Sequence, residues 1–151
     1  MLKLNQKAPT FSLLDQDGNT HTLKQYLGKK VLIYFYPKDD TPGCTTEACN
    51  FRDNYEALKS AGLVVLGVSK DTTKSHKKFA EKFNLPFPLL SDEDTSMCQA
   101  YGVWGMKKFM GREYMGISRA SFLIDEKGMV AKIYEDVKPK EHTQEVAGDI
   151  V

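Results

Sequence analysis

Two cysteines, Cys44 and Cys49, stand five residues apart shortly after an apolar run that ends at Tyr36. Thr41 can N-cap a helix that begins here, and Pro42 suits the first helical position. Cys44 then lies in the first turn, where free backbone N–H groups and the positive end of the helix dipole favour a thiolate. Cys44 is therefore a candidate nucleophile, and a small, buried, inert residue is the alternative.

The spacing of the two cysteines indicates a role for the second thiol. In a regular α-helix, residues five apart have Cα atoms about 8.6 Å apart, whereas a disulfide requires Cα atoms closer than about 7 Å. Cys44 and Cys49 can therefore bond only if about one helical turn unwinds. We expect a reduced helical form and an oxidised form in which the helix is locally open.

A metal site is the other common use of nearby cysteines. The three cysteines and the three histidines, His21, His76 and His142, do not stand at the C-x2-C or H-x3–5-H spacings of zinc sites. We therefore predict no metal, and we expect each histidine to be a solvated side chain. Cys98, the third cysteine, is expected to be a small buried residue rather than a second resolving thiol.

Composition places these thiols in an ordinary globular chain. The 151 residues are 41% hydrophobic and 27% charged, with a net charge of +1, which suits a single domain over 1–151 that needs no disulfide or metal for its core. No apolar run is long enough to span a membrane and the first residues do not resemble an export signal, so we expect a cytoplasmic protein. The near-zero charge gives no reason to expect a nucleic acid partner.

In a reducing compartment, paired cysteines are more often catalytic or redox-active than structural.

The apolar pattern predicts an α/β fold around the cysteines. Residues 31–36 and 63–68 are continuous apolar runs, typical of parallel strands buried on both faces, and a helix predicted over 42–61 connects them. Sites in open α/β sheets lie at the carboxyl ends of such strands, as Cys44 does. The other predicted elements are a hairpin at 10–14 and 20–23, helices at 72–84 and 94–102 and from about 139, a strand at 86–90, and a closing hairpin at 121–124 and 130–134 that supplies antiparallel edge strands.

The segment 102–118 is rich in glycine and methionine. We expect a glycine-broken connection that packs on the core, and an adaptable, partly apolar surface near Cys44 is the alternative. The lysines of the 72–84 helix are expected to form its solvated face.

The residues around Cys44 resemble the active-site motif of the peroxiredoxins. Pro37-x3-Thr41-x2-Cys44 matches this motif, and TPGCTTEAC resembles the Q subfamily. Further similar segments, among them APTFSL, LGVSKD, FPLLSDED, AYGVWG, FMGREYMGI and SRASFLID, extend the resemblance over nearly the whole chain. The resemblance implies a thioredoxin-like fold, with a mixed central sheet flanked by helices and an N-terminal β-hairpin. It also implies a monomeric thiol peroxidase that needs no metal, haem or other cofactor.

The resemblance implies roles for the residues of this motif. Cys44 would be the peroxidatic cysteine, which a hydroperoxide oxidises to sulfenic acid. Cys49 would resolve it as an intrachain disulfide, which a thioredoxin-type dithiol then reduces. Thr41 would hydrogen-bond the thiolate and the peroxide, and Pro37 would shield the site from bulk water.

Two charged residues also match positions of the family. Arg119 would stand beside the thiolate, where a fixed cation stabilises the charge on sulfur and on the peroxide oxygens. From the sequence alone, Arg119 would instead be a surface charge. Glu47 would help to hold the hydrogen bonds of the site, and a favourable acid in the first helical turn is the alternative.

Two other functions share the same thiols. A redox sensor or chaperone-type binding module would undergo the same oxidation but would hardly turn over with thioredoxin. A thioredoxin-like disulfide reductase would accelerate insulin reduction, although that chemistry uses a C-x-x-C pair and the gap between Cys44 and Cys49 is four residues.

Overall fold

Strands alternate with helices in the middle of the chain, and two hairpins follow, in the computed structural model, which describes residues 2–150. The strands are β1 (Ser12–Leu14), β2 (Thr20–Thr22), β3 (Lys30–Phe35), β4 (Leu63–Ser69), β5 (Leu89–Ser91), β6 (Trp104–Phe109), β7 (Arg112–Ile117), β8 (Ala120–Ile124) and β9 (Val130–Tyr134). The helices are α1 (Pro42–Asp53), α2 (Tyr55–Ser60), α3 (Thr73–Phe83), α4 (Ser96–Ala100) and α5 (His142–Asp149), with a 3-10 turn at Leu23–Tyr26. Within residues 2–150, no helix has both the length and the apolar character that crossing a membrane requires.

Five strands form the central sheet in the order β5-β4-β3-β8-β9. The apolar runs form β3 and β4, which pair in parallel as predicted, and β5 extends the parallel part. The expectation that the closing hairpin supplies only edge strands is wrong for β8. This strand pairs antiparallel with β3, with Val31 opposite Ile124, and all of its residues are buried. Only β9 of that hairpin lies at the edge, so the sheet is mixed with β3 at its centre.

Both faces of β3 are buried, which explains why its sequence does not alternate. Leu32 and Tyr34 point into a core cluster that also contains Phe51 of α1. Ile33 and Phe35 point into the opposite cluster, beneath the N-terminal hairpin and α4. Strand β3 therefore lies between a layer of helices and a layer formed by the N-terminal hairpin and α4. It carries the chain directly to the cysteine segment at its carboxyl end.

The helix predicted over 42–61 is two helices, because the chain breaks at Asn54. The Asn54 side chain donates through Nδ2 to the carbonyl oxygen of Asn50 at 2.8 Å, and its own backbone N–H donates to the same oxygen at 3.2 Å. An asparagine side chain that bonds a nearby carbonyl competes with regular helix geometry. Both cysteines lie before the break, so α1 alone sets their spacing.

The segment 102–118 differs most from the expectation. It forms an antiparallel hairpin of β6 and β7, whose turn residues Met110 and Gly111 have φ values of 51° and 79°. Two left-handed residues suit a tight hairpin turn. The prediction that this segment packs on the core is wrong beyond its base, since Met106, Phe109 and Met110 are all more than half exposed.

All three histidines are buried, contrary to the expectation that they are solvated. Both ring nitrogens of each lie within hydrogen-bond distance of a polar group. Three of these groups are carboxylates: Asp15 lies 2.6 Å from His21, Asp39 lies 2.7 Å from His76, and Glu145 lies 3.0 Å from His142. Such partners offset the free-energy cost of removing an imidazole from water. The lysines of α3, in contrast, are exposed as predicted.

Candidate active site

Cys44 is the third residue of α1 and only 1% exposed. Helix α1 begins at Pro42, directly after a short loop, 37–41, that leaves the central strand. The sequence-based placement of Cys44 in the first turn is confirmed. Cys44 belongs to the apolar cluster that contains Tyr34 and Phe51, and its burial leaves the sulfur little access to bulk water.

Arg119 provides the cation beside this sulfur. Its Nη2 donates to Cys44 Sγ at 3.3 Å, and its Nη1 donates to Glu47 Oε1 at 2.9 Å. Burial alone would lower the pKa of Arg119, but the negative charges of Cys44 and Glu47 raise it. The interpretation of Arg119 as a surface charge is therefore wrong, because its guanidinium bridges the two acidic groups of α1.

Glu47 lies on the same side of α1 as Cys44, one turn later, and its side chain is fully buried. Burial raises the pKa of Glu47 to about 7, and the charge of Arg119 opposes this rise. Within residues 2–150, its Oε2 atom has no hydrogen-bond partner. Glu47 lies beyond the first turn of α1, so the interpretation as a first-turn acid is wrong and contact with Arg119 explains the residue.

Thr41 occupies the N-cap position of α1, as predicted, but its side chain does not cap the helix. The hydroxyl donates instead to the carbonyl oxygen of Lys38 at 2.8 Å, which closes the loop on itself. The carbonyl of Thr41 accepts the first helical hydrogen bond, from the N–H of Thr45. Pro37 is half-buried at the start of the same loop. The structure thus places Pro37 and Thr41 in the loop before Cys44. Among residues 2–150, Arg119 alone forms a side-chain hydrogen bond with the sulfur.

Cys49 is half-buried on the same helix, and both Cys49 and Cys44 are free thiols. Helix α1 runs unbroken through both residues, so their Cα atoms are separated by about 8.6 Å in ideal geometry. This distance exceeds the reach of a disulfide, so the structure represents the reduced form.

Cys98 is fully buried in α4, which confirms its prediction as a small buried residue. Burial raises the pKa of its thiol, and the neighbouring carboxylate of Asp92 raises it further. Cys98 therefore remains a neutral thiol.

Gly43 is a functional position that the sequence interpretation missed. A Cβ atom at Gly43 would lie 3.0 Å from Nη2 of Arg119, closer than such contacts normally come. A glycine here lets the guanidinium approach the first turn of α1. The signal was present in the Thr-Pro-Gly-Cys sequence, but it indicated only a turn.

One cluster of possible metal ligands is present in the described part of the chain. Asp39, Asp71 and His76 offer ligand atoms that all lie within 4.8 Å of one another. Each of these ligand atoms already has hydrogen-bond partners within the protein. The cluster is therefore satisfied internally, and it lies apart from the contacts of Cys44.

Sequence comparison finds relatives over nearly the whole chain. A sequence model of the AhpC/TSA family matches residues 4–133. A putative peroxiredoxin bcp of Coxiella burnetii is 51% identical over 147 residues, 97% of either chain. Peroxiredoxin Bcp of Escherichia coli K12 is 52% identical over 93% of this chain and 90% of its own.

Solved structures show the same fold. A cysteine-to-serine mutant of Xylella fastidiosa PrxQ superposes with a TM-score of 0.94 at 31% identity, covering 99% of this chain and 96% of its own. The bacterioferritin comigratory protein of Xanthomonas campestris superposes with a TM-score of 0.88 at 38% identity, covering 93% and 89%. The fold is therefore thioredoxin-like, as the sequence resemblance implied. With near-complete coverage by both kinds of relative, this chain belongs to the AhpC/TSA family and, within it, to the Bcp or Q-type peroxiredoxins, which are thiol peroxidases.

Proposed function

We propose that Cys44 is the peroxidatic cysteine of this peroxidase and that its substrates are hydrogen peroxide and organic hydroperoxides. The observation that carries the proposal is the Arg119 Nη2 atom, 3.3 Å from Cys44 Sγ in the first turn of α1. A cation and a helix N-terminus at one sulfur favour its thiolate form. The bacterioferritin comigratory protein of Xanthomonas campestris has alkyl peroxide reduction activity, which supports organic hydroperoxides as a substrate class.

In the first step, the thiolate of Cys44 attacks the terminal peroxide oxygen. The S–O bond forms as the O–O bond breaks, and sulfur is oxidised to sulfenic acid while the peroxide is reduced. The leaving oxygen takes up a proton and departs as water or an alcohol. Arg119 stabilises the negative charge that moves from sulfur to oxygen, because its donors are already fixed by Glu47. Thr41 would hydrogen-bond the peroxide after leaving Lys38, and Pro37 would limit access of water.

In the second step, Cys49 resolves the sulfenic acid. Its thiolate attacks Cys44 Sγ, the S–O bond breaks, and one proton is taken up as water leaves. The spacing on α1 requires that about one helical turn unwinds before the disulfide closes. Because α1 ends at Asp53, the opening need not extend into α2.

A thioredoxin-type dithiol would restore both thiols by disulfide exchange, with its own thiols oxidised in return. The cytoplasm suits this cycle, since it keeps such reductants in their dithiol form. The residues of the proposed cycle belong to one chain, so a monomer suffices for turnover.

Single replacement of each cysteine by serine tests this scheme. We expect Cys44→Ser to abolish peroxide consumption, and Cys49→Ser to permit one oxidation per chain without recycling by thioredoxin. Cys98→Ser should cycle like the wild type. Peroxide consumption with a thioredoxin system, together with mass spectrometry of the disulfide, measures all three. Full activity of Cys44→Ser would refute the proposal, and wild-type oxidation without turnover would favour a redox sensor.

A further inference from the structure

A second polar cluster lies beneath the loop 37–41, away from Cys44. Asp39 and His76 form its centre, with side chains 4% and 0% exposed. His76 Nδ1 lies 2.7 Å from Asp39 Oδ2, and Ser75 Oγ donates to the same oxygen at 2.8 Å. The hydroxyl of Tyr36 donates to Asp39 Oδ1 at 2.6 Å. The carboxyl group of Asp39 therefore has three partners, two on α3 and one, Tyr36, directly after β3.

The second ring nitrogen of His76, Nε2, shows where a hydrogen of the imidazole lies. His76 Nε2 lies 3.0 Å from the carbonyl oxygen of Leu90 in β5, and a carbonyl can only accept. Nε2 must therefore carry a hydrogen, and the short contact between Nδ1 and Asp39 requires one shared proton. The imidazole thus ties the loop residue Asp39 to the sheet at β5.

The main chain of the loop is held at the same point. The backbone N–H of Asp39 donates to Asp71 Oδ2 at 2.9 Å, and the hydroxyl of Ser69 donates to the same oxygen at 2.6 Å. The next residue, Asp40, has a left-handed φ of 56°. A non-glycine residue in this region persists only where its surroundings hold it there. Asp39 is thus anchored through its side chain and its backbone immediately before the chain turns.

We propose that Asp39 and His76 are positioning residues for peroxide reduction, and that they fix the loop that presents Thr41 and Cys44 to the substrate. Neither residue touches the sulfur, so both act through the loop. The cluster ties the middle of this loop to β4, β5 and α3, while the exposed pair of Lys82 and Asp40 adds only a surface contact. Exposed ion pairs contribute little, so the buried pair should dominate.

The role concerns one half of the cycle. Reaction with peroxide requires the folded loop, because Thr41 and Cys44 must meet the substrate together. Reduction of the disulfide takes place after α1 has opened, and it depends less on that geometry. Loss of the anchor should therefore slow oxidation selectively. This inference rests on the proposed role of Cys44 as the peroxidatic thiol.

Rapid-mixing kinetics on His76→Gln, Asp39→Asn and the control Lys82→Met test the inference. We expect oxidation by hydrogen peroxide to slow about tenfold or more in the first two variants, because even a small misplacement of reacting groups lowers a reaction rate by such factors. Reduction of their disulfides by thioredoxin should stay close to the wild-type rate, and Lys82→Met should match the wild type in both steps. Circular dichroism and thermal unfolding identify the folded variants.

Ser75→Ala provides a milder variant if both central replacements fail to fold, because it removes one donor from Asp39 and leaves the histidine in place. A smaller but selective loss in oxidation is expected there. Equal oxidation rates in the folded variants and the wild type would overturn the inference, and so would equal losses in both half-reactions. A wild-type chain that does not react with peroxide would instead refute the proposed role of Cys44, so the two failures are distinguishable.

Discussion

Cys44 and Cys98 occupy equivalent positions in two helices and differ in the charge beside them. Each is the third residue of a helix that follows a strand of the parallel part of the sheet, α1 after β3 and α4 after β5. Each is at most 1% exposed. At Cys44 the nearest charged group is the Arg119 guanidinium, whereas at Cys98 it is the carboxylate of Asp92, which accepts the Cys98 backbone N–H at 2.8 Å.

The comparison shows that burial and helix position alone do not make a thiol a nucleophile. Both cysteines share these two features, and a cation favours the thiolate of one while a carboxylate opposes the thiolate of the other. The acidic group on the Cys44 side belongs to Glu47, and Arg119 donates to both its carboxyl group and the sulfur. The placement of one arginine therefore separates a reactive cysteine from a packing residue.

Removal of the cation should have the largest effect. We expect Arg119→Met to lower the rate constant of Cys44 oxidation by about 10²–10³-fold, which is typical for the loss of one fixed donor to a developing charge. Arg112→Met, which removes an exposed arginine from β7, is the matched control and should react like the wild type. Rapid-mixing oxidation by hydrogen peroxide measures both. Equal rates in the two variants would show that the cation does not distinguish Cys44 from Cys98.

Replacement of Glu47 should change how stability depends on pH. Burial raises the pKa of Glu47 from 4.5 to about 7, so between these values the folded chain holds a proton that the unfolded chain has released. Stability therefore falls as the pH rises through this window. Glu47→Gln cannot titrate, and its free energy of unfolding should gain about 3 kcal/mol relative to the wild type between pH 4.5 and 7.

Urea unfolding of both proteins across this pH range measures the effect of Glu47. Glu56→Gln on α2 is a control, because Glu56 is exposed. If the free energy of unfolding of the wild type and of Glu47→Gln changed in parallel with pH, Glu47 would be ionised in the folded chain over this whole pH range. Arg119 would then face two negative charges, those of Glu47 and of the Cys44 thiolate.

Replacement of Asp92 tests whether its carboxylate or burial keeps Cys98 unreactive. Asp92→Asn retains one oxygen, so one of the backbone N–H groups of Met97 and Cys98 loses its acceptor. We expect a loss of about 1–2 kcal/mol in the free energy of unfolding. Cys98 should still resist alkylation in the folded protein, because burial is the main cause of its raised pKa. The exposed control Glu93→Gln should be alkylated like the wild type. If Cys98 in Asp92→Asn were alkylated as fast as Cys44, the charge of Asp92 alone would be what keeps Cys98 unreactive.

Removal of the Cys98 thiol should have the smallest effect. We expect Cys98→Ala to lower the free energy of unfolding by about 1 kcal/mol, as small core truncations do, and to leave the oxidation rate of Cys44 unchanged. Urea unfolding and peroxide kinetics check the two parts. A slower oxidation of Cys44 in this variant would give Cys98 a role in the reaction that its environment does not suggest.

Local sequence patterns were sufficient to predict the placement of Cys44. The apolar run before it and Pro42 at the helix start together determine where α1 begins. Arg119 could not be placed in this way, since it lies 75 residues from Cys44 in the chain. The family resemblance identified this residue, and local periodicity carries no information on such a contact.

Other features depended on contacts that no local pattern encodes. His76 is expected in solvent because no metal-site spacing gives it a partner in the sequence, but Asp39 lies 37 residues away and compensates its burial. The projecting hairpin was missed because its turn contains a left-handed methionine, Met110, beside Gly111. Thr41 is a residue type that commonly caps helices and stands at the N-cap position, but its hydroxyl donates to the carbonyl oxygen of Lys38.

Trapping of the first oxidised sulfur tests the central claim most directly. Cys49→Ser, which cannot form the disulfide with Cys44, is treated with one equivalent of hydrogen peroxide in the presence of dimedone, which labels sulfenic acids, and the peptides are analysed by mass spectrometry. The cation beside Cys44 predicts that the label lies on Cys44 and that Cys98 stays a thiol. Equal labelling of Cys44 and Cys98 in the folded protein would contradict the account.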